Sequence, residues 1–161
     1  SMTRVETLLY LLQNNKVLLI YKKRGLGQGF YNGVGGKVEA NETPEECAVR
    51  ECKEEIDVIP SDLEWMGLLE FYNDGKLYGY VHVFISRKFA GTPKETEEAK
   101  PIWFDIHKIP YENMWSDDIF WLPHILNNEK VLGRFWFEKW SKIIKKEVYI
   151  LQSPELKSFH H

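Results

Sequence analysis

The sequence predicts a single mixed α/β domain, and three observations carry that expectation. Extended apolar runs alternate with two helical patterns along the chain. Two pairs of those runs are separated only by short polar turns, Asn14-Asn15 and Asp74-Gly75. No repeat, low-complexity tract or linker breaks the 161 residues, a length sufficient to bury a real core.

The elements follow in order. "RVETLLYLLQ" (4–13) and "KVLLIYKKR" (16–24) are extended and joined by the polar pair, so they read as a hairpin. "RGLGQGFYNGVGGKV" (24–38) is glycine-rich and reads as a loop entering a short strand. "NETPEECAVRECKEEI" (41–56) is a helix that Asn41 or Thr43 can cap, with Pro44 suited to its first turn and acids crowding its N-terminal end. Its apolar face is Val49, Cys52 and Ile56, expected to lie away from Glu51, Glu54 and Glu55.

"LEWMGLLEFYN" (63–73) and "KLYGYVHVFIS" (76–86) form a second hairpin about Asp74-Gly75. "PIWFD" (101–105) is a short strand after an acidic loop. "SDDIFWLPHIL" (116–126) reads as a helix from Ser116, its path fixed or bent by Pro123. "VLGRFWFEKW" (131–140) and "KKEVYILQ" (145–152) are a last pair of strands. The domain is expected over residues 3–152, with Ser1-Met2 a tag remnant and start, and 153–161 a C-terminal tail.

Composition narrows the function classes. With 43% hydrophobic and 28% charged residues the chain reads as an ordinary soluble protein. A net charge of -3 argues against a surface that wraps nucleic acid. A small phosphorylated molecule stays compatible, because it needs only a local basic spot or a metal. Cys47 and Cys52, five apart on one helix, point in different directions and read as free thiols of a reducing cytosol. No apolar run approaches the ~20 residues of a membrane span, and no signal-peptide pattern opens the chain, so a cytoplasmic protein without membrane attachment is expected.

Chemistry gathers in "RECKEEIDV" (50–58). Glu51, Glu54 and Glu55, at i, i+3 and i+4, fall on one helical stripe, where like neighbours destabilise by about 0.2–0.5 kcal/mol each. A charge run is ordinarily a solvated face. Here, however, Glu46–Arg50 and Lys53–Asp57 are compensated i,i+4 pairs, whereas the three-glutamate stripe has no basic partner on it. Something off the helix should neutralise it, and a hard divalent cation, Mg2+ or alternatively Mn2+, would do so with carboxylate and phosphate oxygens. Gly35-Gly36 just upstream would let backbone approach a phosphate or the ion.

From Gly36 onward, Gly36, Glu42, Arg50, Glu51, Glu54 and Glu55 fall into the pattern G-x5-E-x7-R-E-U-x-E-E-x-G-U, with Cys52 and Val58 in the bulky apolar slots U. Six fixed residues at average usage should align by chance in about one chain in 10^5. The pattern resembles the Nudix box. One position departs from it: Asp57 stands where the family has a glycine, expected to end the helix in a left-handed conformation.

The resemblance implies a Nudix fold, a mixed β-sheet sandwiched between α-helices. It also implies hydrolysis of a nucleoside diphosphate linked to a further group. Arg50 would orient a glutamate and Glu42 would anchor the loop. "KKRGLGQGFYNGVGGKVE", "GTPKETEEAKPIWFD" and "MWSDDIFWLP" further resemble the animal-type MutT-homologue branch, whose oxidised purine nucleoside triphosphatases act on 8-oxo-dGTP; the likeness runs from about Thr7 to Phe137. On that resemblance Glu51, Glu54, Glu55 and Glu98 are catalytic, and the metal site is Gly35 with the same four acids. Thr7, Lys22, Asn32, Gly35, Gly36, Trp115, Asp117 and Asp118 line the substrate. The implied reaction releases monophosphate and pyrophosphate and sanitises the nucleotide pool.

The residue types suit those roles. An asparagine amide matches a purine edge, and a tryptophan offers a flat face. Two adjacent aspartates near one base would repel if both were ionised, so one is expected to keep a proton. Each also has a plainer account. Carboxylates are favoured in a helix's first turn, Asn32-Gly33 is a common turn dipeptide, Trp115 fits a core, and Lys22 and Glu98 fit a surface.

Leu26 and Gly79 stand where that branch has Phe and Met beside the base, and Glu70 or Phe71 falls at a pocket Phe. These departures leave another purine triphosphate open as substrate, and a non-catalytic nucleotide-binding module as the remaining alternative. Nothing in the sequence calls for a protein partner, and a monomer is expected.

Overall fold

The computed structural model describes residues 3–152; Ser1-Met2 and the tail 153–161 lie outside the described residues. Strand β1 (Arg4–Gln13) turns through Asn14 and Asn15, both left-handed at φ 49° and 62°, into β2 (Lys16–Lys22). Positive φ at both central residues is the turn that matches the twist of a hairpin, and asparagine tolerates it. A glycine-rich loop leads to β3 (Tyr31–Asn32) and β4 (Val34–Lys37).

Helix α1 (Pro44–Ile56) starts in a capping box: the Thr43 hydroxyl accepts from the Glu46 N–H at 3.1 Å, and the Glu46 carboxylate accepts from the Thr43 N–H at 3.0 Å. Thr43 is therefore the cap, and Glu46 serves it rather than pairing with Arg50. The helix ends at Asp57, left-handed at φ 60°, whose N–H returns to the Lys53 carbonyl.

After β5 (Ile59–Ser61), the long hairpin β6 (Glu64–Asn73) and β7 (Lys76–Ser86) forms about Asp74 and Gly75, at φ 51° and 79°. Strand β8 (Lys88–Ala90) pairs with β5 in a separate two-stranded sheet. Then come β9 (Ala99–Asp105), a 3-10 turn (Tyr111–Asn113), α2 (Asp118–Leu126), β10 (Lys130–Glu138) and β11 (Lys142–Leu151).

The main sheet runs β11-β10-β6-β7-β1-β2-β3, with β4 also on β1 and β9 on β2. It is mixed: β1 is parallel to β7 and β10 to β6, and the other pairs are antiparallel. Side chains alternate across it, as a strand's period of two demands. Leu9, Leu11, Leu18 and Ile20 pack with Ala48, Cys52 and Ile56 of α1. Tyr10, Val17 and Leu19 pack on the other side with Trp121, Leu122 and Ile125 of α2. The sheet is thus held between two helices.

The expected helix face needs one correction. Cys47, Ala48, Cys52, Glu55 and Ile56 are the buried residues of α1, while Val49 is only half-buried. Glu55 lies three residues beyond Cys52, so it turns inward and the acid stripe is split rather than uniformly outward. Both cysteines are buried and unpaired. No helix among the described residues is long and apolar enough to cross a membrane.

Candidate active site

The site grows from the paired strands β1 and β4. Strand β4 carries Gly35 and Gly36, register partners of Leu8 and Thr7 on β1. A Cβ on Gly36 would stand 2.6 Å from the Glu51 carboxyl carbon, so only glycine lets this backbone settle on that carboxylate. The Gly35 N–H donates to Glu55 Oε1 at 3.0 Å.

Arg50 organises the acids. Its Nη1 donates to Glu51 Oε1 at 2.7 Å and to Glu54 Oε2 at 3.4 Å, while Nε and Nη2 hold Glu42. The stripe therefore has a cation after all, which corrects the expectation that it lacks one. Arginine's long fork reaches both the adjacent Glu51 and, four residues on, Glu54.

Glu55 remains the costly member. Burial, then the charge of Glu51, push its carboxyl up to about 8, against the Gly35 N–H and the Lys22 charge. Burial also raises Glu51, with Arg50 opposing it. Two close, poorly solvated carboxylates with hard oxygen donors suit a divalent cation such as Mg2+ or Mn2+, whose charge would relieve that repulsion. The donor set fits.

Among the described residues, no three acid, His or Cys side chains converge closely enough to hold an ion by themselves. Glu51 and Glu55 meet, and Glu54 is the exposed neighbour. Glu98 is drawn aside into an ion pair with Arg24.

Beside Glu55 opens a cavity of about 210 Å3. That is below the roughly 300–1,000 Å3 of sites enclosing a whole ligand, so it suits one planar ring system with the remainder outside. Lys22, Asn32, Gly35, Gly36, Glu55, Trp115, Asp117 and Asp118 all border it; Glu51, Glu54 and Glu98 do not. Thr7 borders it too, but its hydroxyl faces α1 and meets Cys47 Sγ at 3.4 Å.

Asn32, Trp115, Asp117 and Asp118, the residues expected to meet a base, all line this cavity. Asn32 Oδ1 accepts from the Gly33 N–H at 2.9 Å. Trp115 stands edge-on to Phe30 and Trp140, with ring centroids 5.4 and 6.2 Å apart. Helix α2 begins at Asp118 rather than Ser116, and Asp117 makes no side-chain cap. Both aspartates are buried, 3% and 2% exposed, so neither serves as a solvated first-turn charge.

Asp117 Oδ2 accepts from Trp121 Nε1 at 2.7 Å. Burial raises both carboxyls, and the charge of Asp117 pushes Asp118 further, well above the usual range.

Several lining residues were absent from the sequence reading. Arg4, Glu6 and Leu8 share one face of β1, a period-two signal visible in hindsight. Tyr78 and Trp140 pack edge to face at 4.9 Å on the same rim, and the Arg4 guanidinium lies 5.6 Å over the Tyr78 ring. Phe71 supplies the aromatic wall, whereas Glu70 is bonded to Arg134 and Tyr72.

A NUDIX domain model matches residues 2–125. Over 148 residues the chain is 40% identical to the oxidized purine nucleoside triphosphate hydrolase of Danio rerio, covering 91% of this chain and 94% of that protein. The Mus musculus protein of the same name is 40% identical over 146 residues, covering 89% and 93%. Among solved structures, the MutT protein of Bacillus halodurans superposes with a TM-score of 0.80 at 22% identity, over 90% of this chain and 97% of that one, a likeness of fold.

Proposed function

The chain belongs to the NUDIX family of hydrolases, and from that premise we propose that it cleaves oxidised purine nucleoside triphosphates of the 8-oxo-dGTP type to monophosphate and pyrophosphate, sanitising the nucleotide pool. The observation that carries the reading is the junction of a purine-sized cavity with the Glu51–Glu55 acid pair at Gly35 and Gly36.

Each residue has a task in it. Asn32 and Asp118 read the base edge, with Asp118 as a hydrogen-bond donor and Asp117 fixed by Trp121. Trp115 covers the ring face. Lys22, on the cavity wall, meets the phosphates. Magnesium or manganese, held by Glu51, Glu54 and Glu55 with the Gly35 or Gly36 backbone, would clamp phosphate oxygens and offset charge developing in the transition state. The helix carboxylates also receive the proton of the attacking water. Glu98 joins them once released from Arg24. Arg50 holds Glu51 in place and takes no part in the chemistry. No nucleic acid, membrane or second chain is required.

A second reading keeps the reaction and changes the base. Gly79 lets the Arg4 backbone close in, and Arg4, Glu6 and Tyr78 give the cavity a charged rim. Leu26, 61% exposed, covers little of the ring. These features favour a purine triphosphate with a different substituent.

A panel of purine triphosphates, assayed with magnesium for pyrophosphate release, separates the two. The first reading expects 8-oxo-dGTP to exceed dGTP clearly in kcat/KM; equal turnover would end it.

A further inference from the structure

Two side-chain oxygens in the described core, Tyr10 Oη and Asp118 Oδ2, are shut off from solvent and have no hydrogen-bond partner. Native proteins retain few such atoms, because each forfeits its hydration without replacement. These two share a neighbourhood.

The Tyr10 ring lies directly behind Gly33, where a Cβ would stand 2.7 Å from Cζ. Its other side meets Trp121, edge to face at 6.2 Å. Gly33 is bonded to Asn32, and Trp121 to Asp117, so the ring braces both supports of the base end. Packing accounts for an aromatic ring there. The Gly33 backbone favours the hydroxyl oxygen, but nothing takes up the phenolic hydrogen.

Resting on the reading of Asp117 and Asp118 as base-contacting, we propose that Tyr10 is a positioning residue for base selection. Its hydroxyl serves the inner oxygen of Asp118 when the outer oxygen engages a purine. A protonated carboxyl that donates outward leaves its other oxygen as an acceptor, and the Tyr10 O–H is a buried, unpaired donor near enough to feel the Asp118 charge. The groups facing Asp118 are Asp117 on its own turn, Tyr10 from β1 and Tyr111 from the 3-10 turn. Arg4, Glu6, Lys22 and Glu55 border the same cavity. A donated phenolic hydrogen favours the ionised carboxylate, so its loss should let Asp118 keep its proton to higher pH.

Tyr10→Phe tests this, because the ring and its packing stay. Kinetics across pH, on an oxidised and an ordinary purine triphosphate, are read beside thermal melting. KM for the preferred substrate should rise about five- to tenfold, the effect of one hydrogen bond, with kcat little changed. The alkaline limb of kcat/KM should move to higher pH, and the melting temperature should not fall.

An unchanged KM and alkaline limb would overturn the proposal. So would a lowered melting temperature with uniform loss on both substrates, the mark of a merely structural residue. Wild type and Asp118→Asn separate this from the underlying reading. If wild type releases no pyrophosphate, or Asp118→Asn leaves base preference intact, the base-end reading fails and the Tyr10 proposal with it. If both controls behave as expected and Tyr10→Phe resembles wild type, the Tyr10 proposal fails alone.

Discussion

Arg50 grips Glu42 at two points, Nε to Oε2 at 2.7 Å and Nη2 to Oε1 at 3.0 Å, tying the loop ahead of α1 to the middle of that helix. The same guanidinium aligns Glu51, so loop anchoring and acid alignment depend on one side chain.

That grip sets an acid limb. The Arg50 bonds lower the Glu42 carboxyl from 4.5 to about 2. A lowered carboxyl stabilises the fold above its unfolded value, and the contribution is lost as pH falls from about 4.5 toward 2. Melting of wild type should decline through that window, and Glu42→Gln should weaken the decline. Arg50→Lys, a point charge without the fork, should lower both melting temperature and kcat.

Glu55 and Asp118 act in the opposite sense. Their folded carboxyls are raised, Glu55 to about 8, so the folded state holds protons that the unfolded chain has released. Metal-free stability should therefore fall as pH climbs from about 4.5 toward 8. Magnesium favours the ionised acid, so its stabilising effect should grow over the same range. Glu55→Gln should flatten the slope, shrink the magnesium effect and reduce kcat by about 10²–10⁴-fold.

The two aspartates should separate under mutation. Asp117→Ala leaves the Trp121 N–H unpaired in the core, at about 1–3 kcal/mol of stability by denaturant unfolding. Asp118→Asn replaces a carboxyl whose burial and neighbouring Asp117 favour the uncharged form. It should fold as well as wild type at neutral pH, change base preference, and leave the magnesium effect on melting in place.

The ends of α1 bear on stability alone. Thr43→Ala opens the capping box and should cost about 0.5–2 kcal/mol with turnover unchanged. Asp57→Gly relieves a left-handed aspartate but gives up its ion pairs with Lys53 and Lys94. Its net gain should stay below about 1 kcal/mol. A large change in kcat for either variant would assign that residue a chemical role.

Local chemistry made most of the fold legible. Asn14-Asn15 and Asp74-Gly75 announce themselves because each solves a backbone problem within a few residues, and the helix start was narrowed to Asn41 or Thr43, of which Thr43 caps. The β5–β8 pair did not, since its three-residue strands are defined only by meeting each other. The inward turn of Glu55 was hidden for a related reason. Acids are seldom buried, so a stripe of them reads as outward until the Gly35 N–H supplies an inward partner. Asp117 and Asp118 matched either a helix's first turn or a base site on sequence, and only their burial speaks against a solvated first turn. Tyr10, a core aromatic by pattern, gains meaning only from Gly33 and Trp121, brought beside it by other elements.

The alternation along β1 has a consequence for how such an enzyme can diversify. Glu6, Leu8 and Tyr10 look toward the α2 layer and the cavity, while Thr7, Leu9 and Leu11 look toward α1. Substitutions on one face can retune which molecule is admitted, while those on the other retain the means of cutting it. The two faces come together at the cavity beside Gly35 and Gly36, which Thr7 also borders. A one-residue insertion would exchange the two sets of side chains and forfeit both capacities at once.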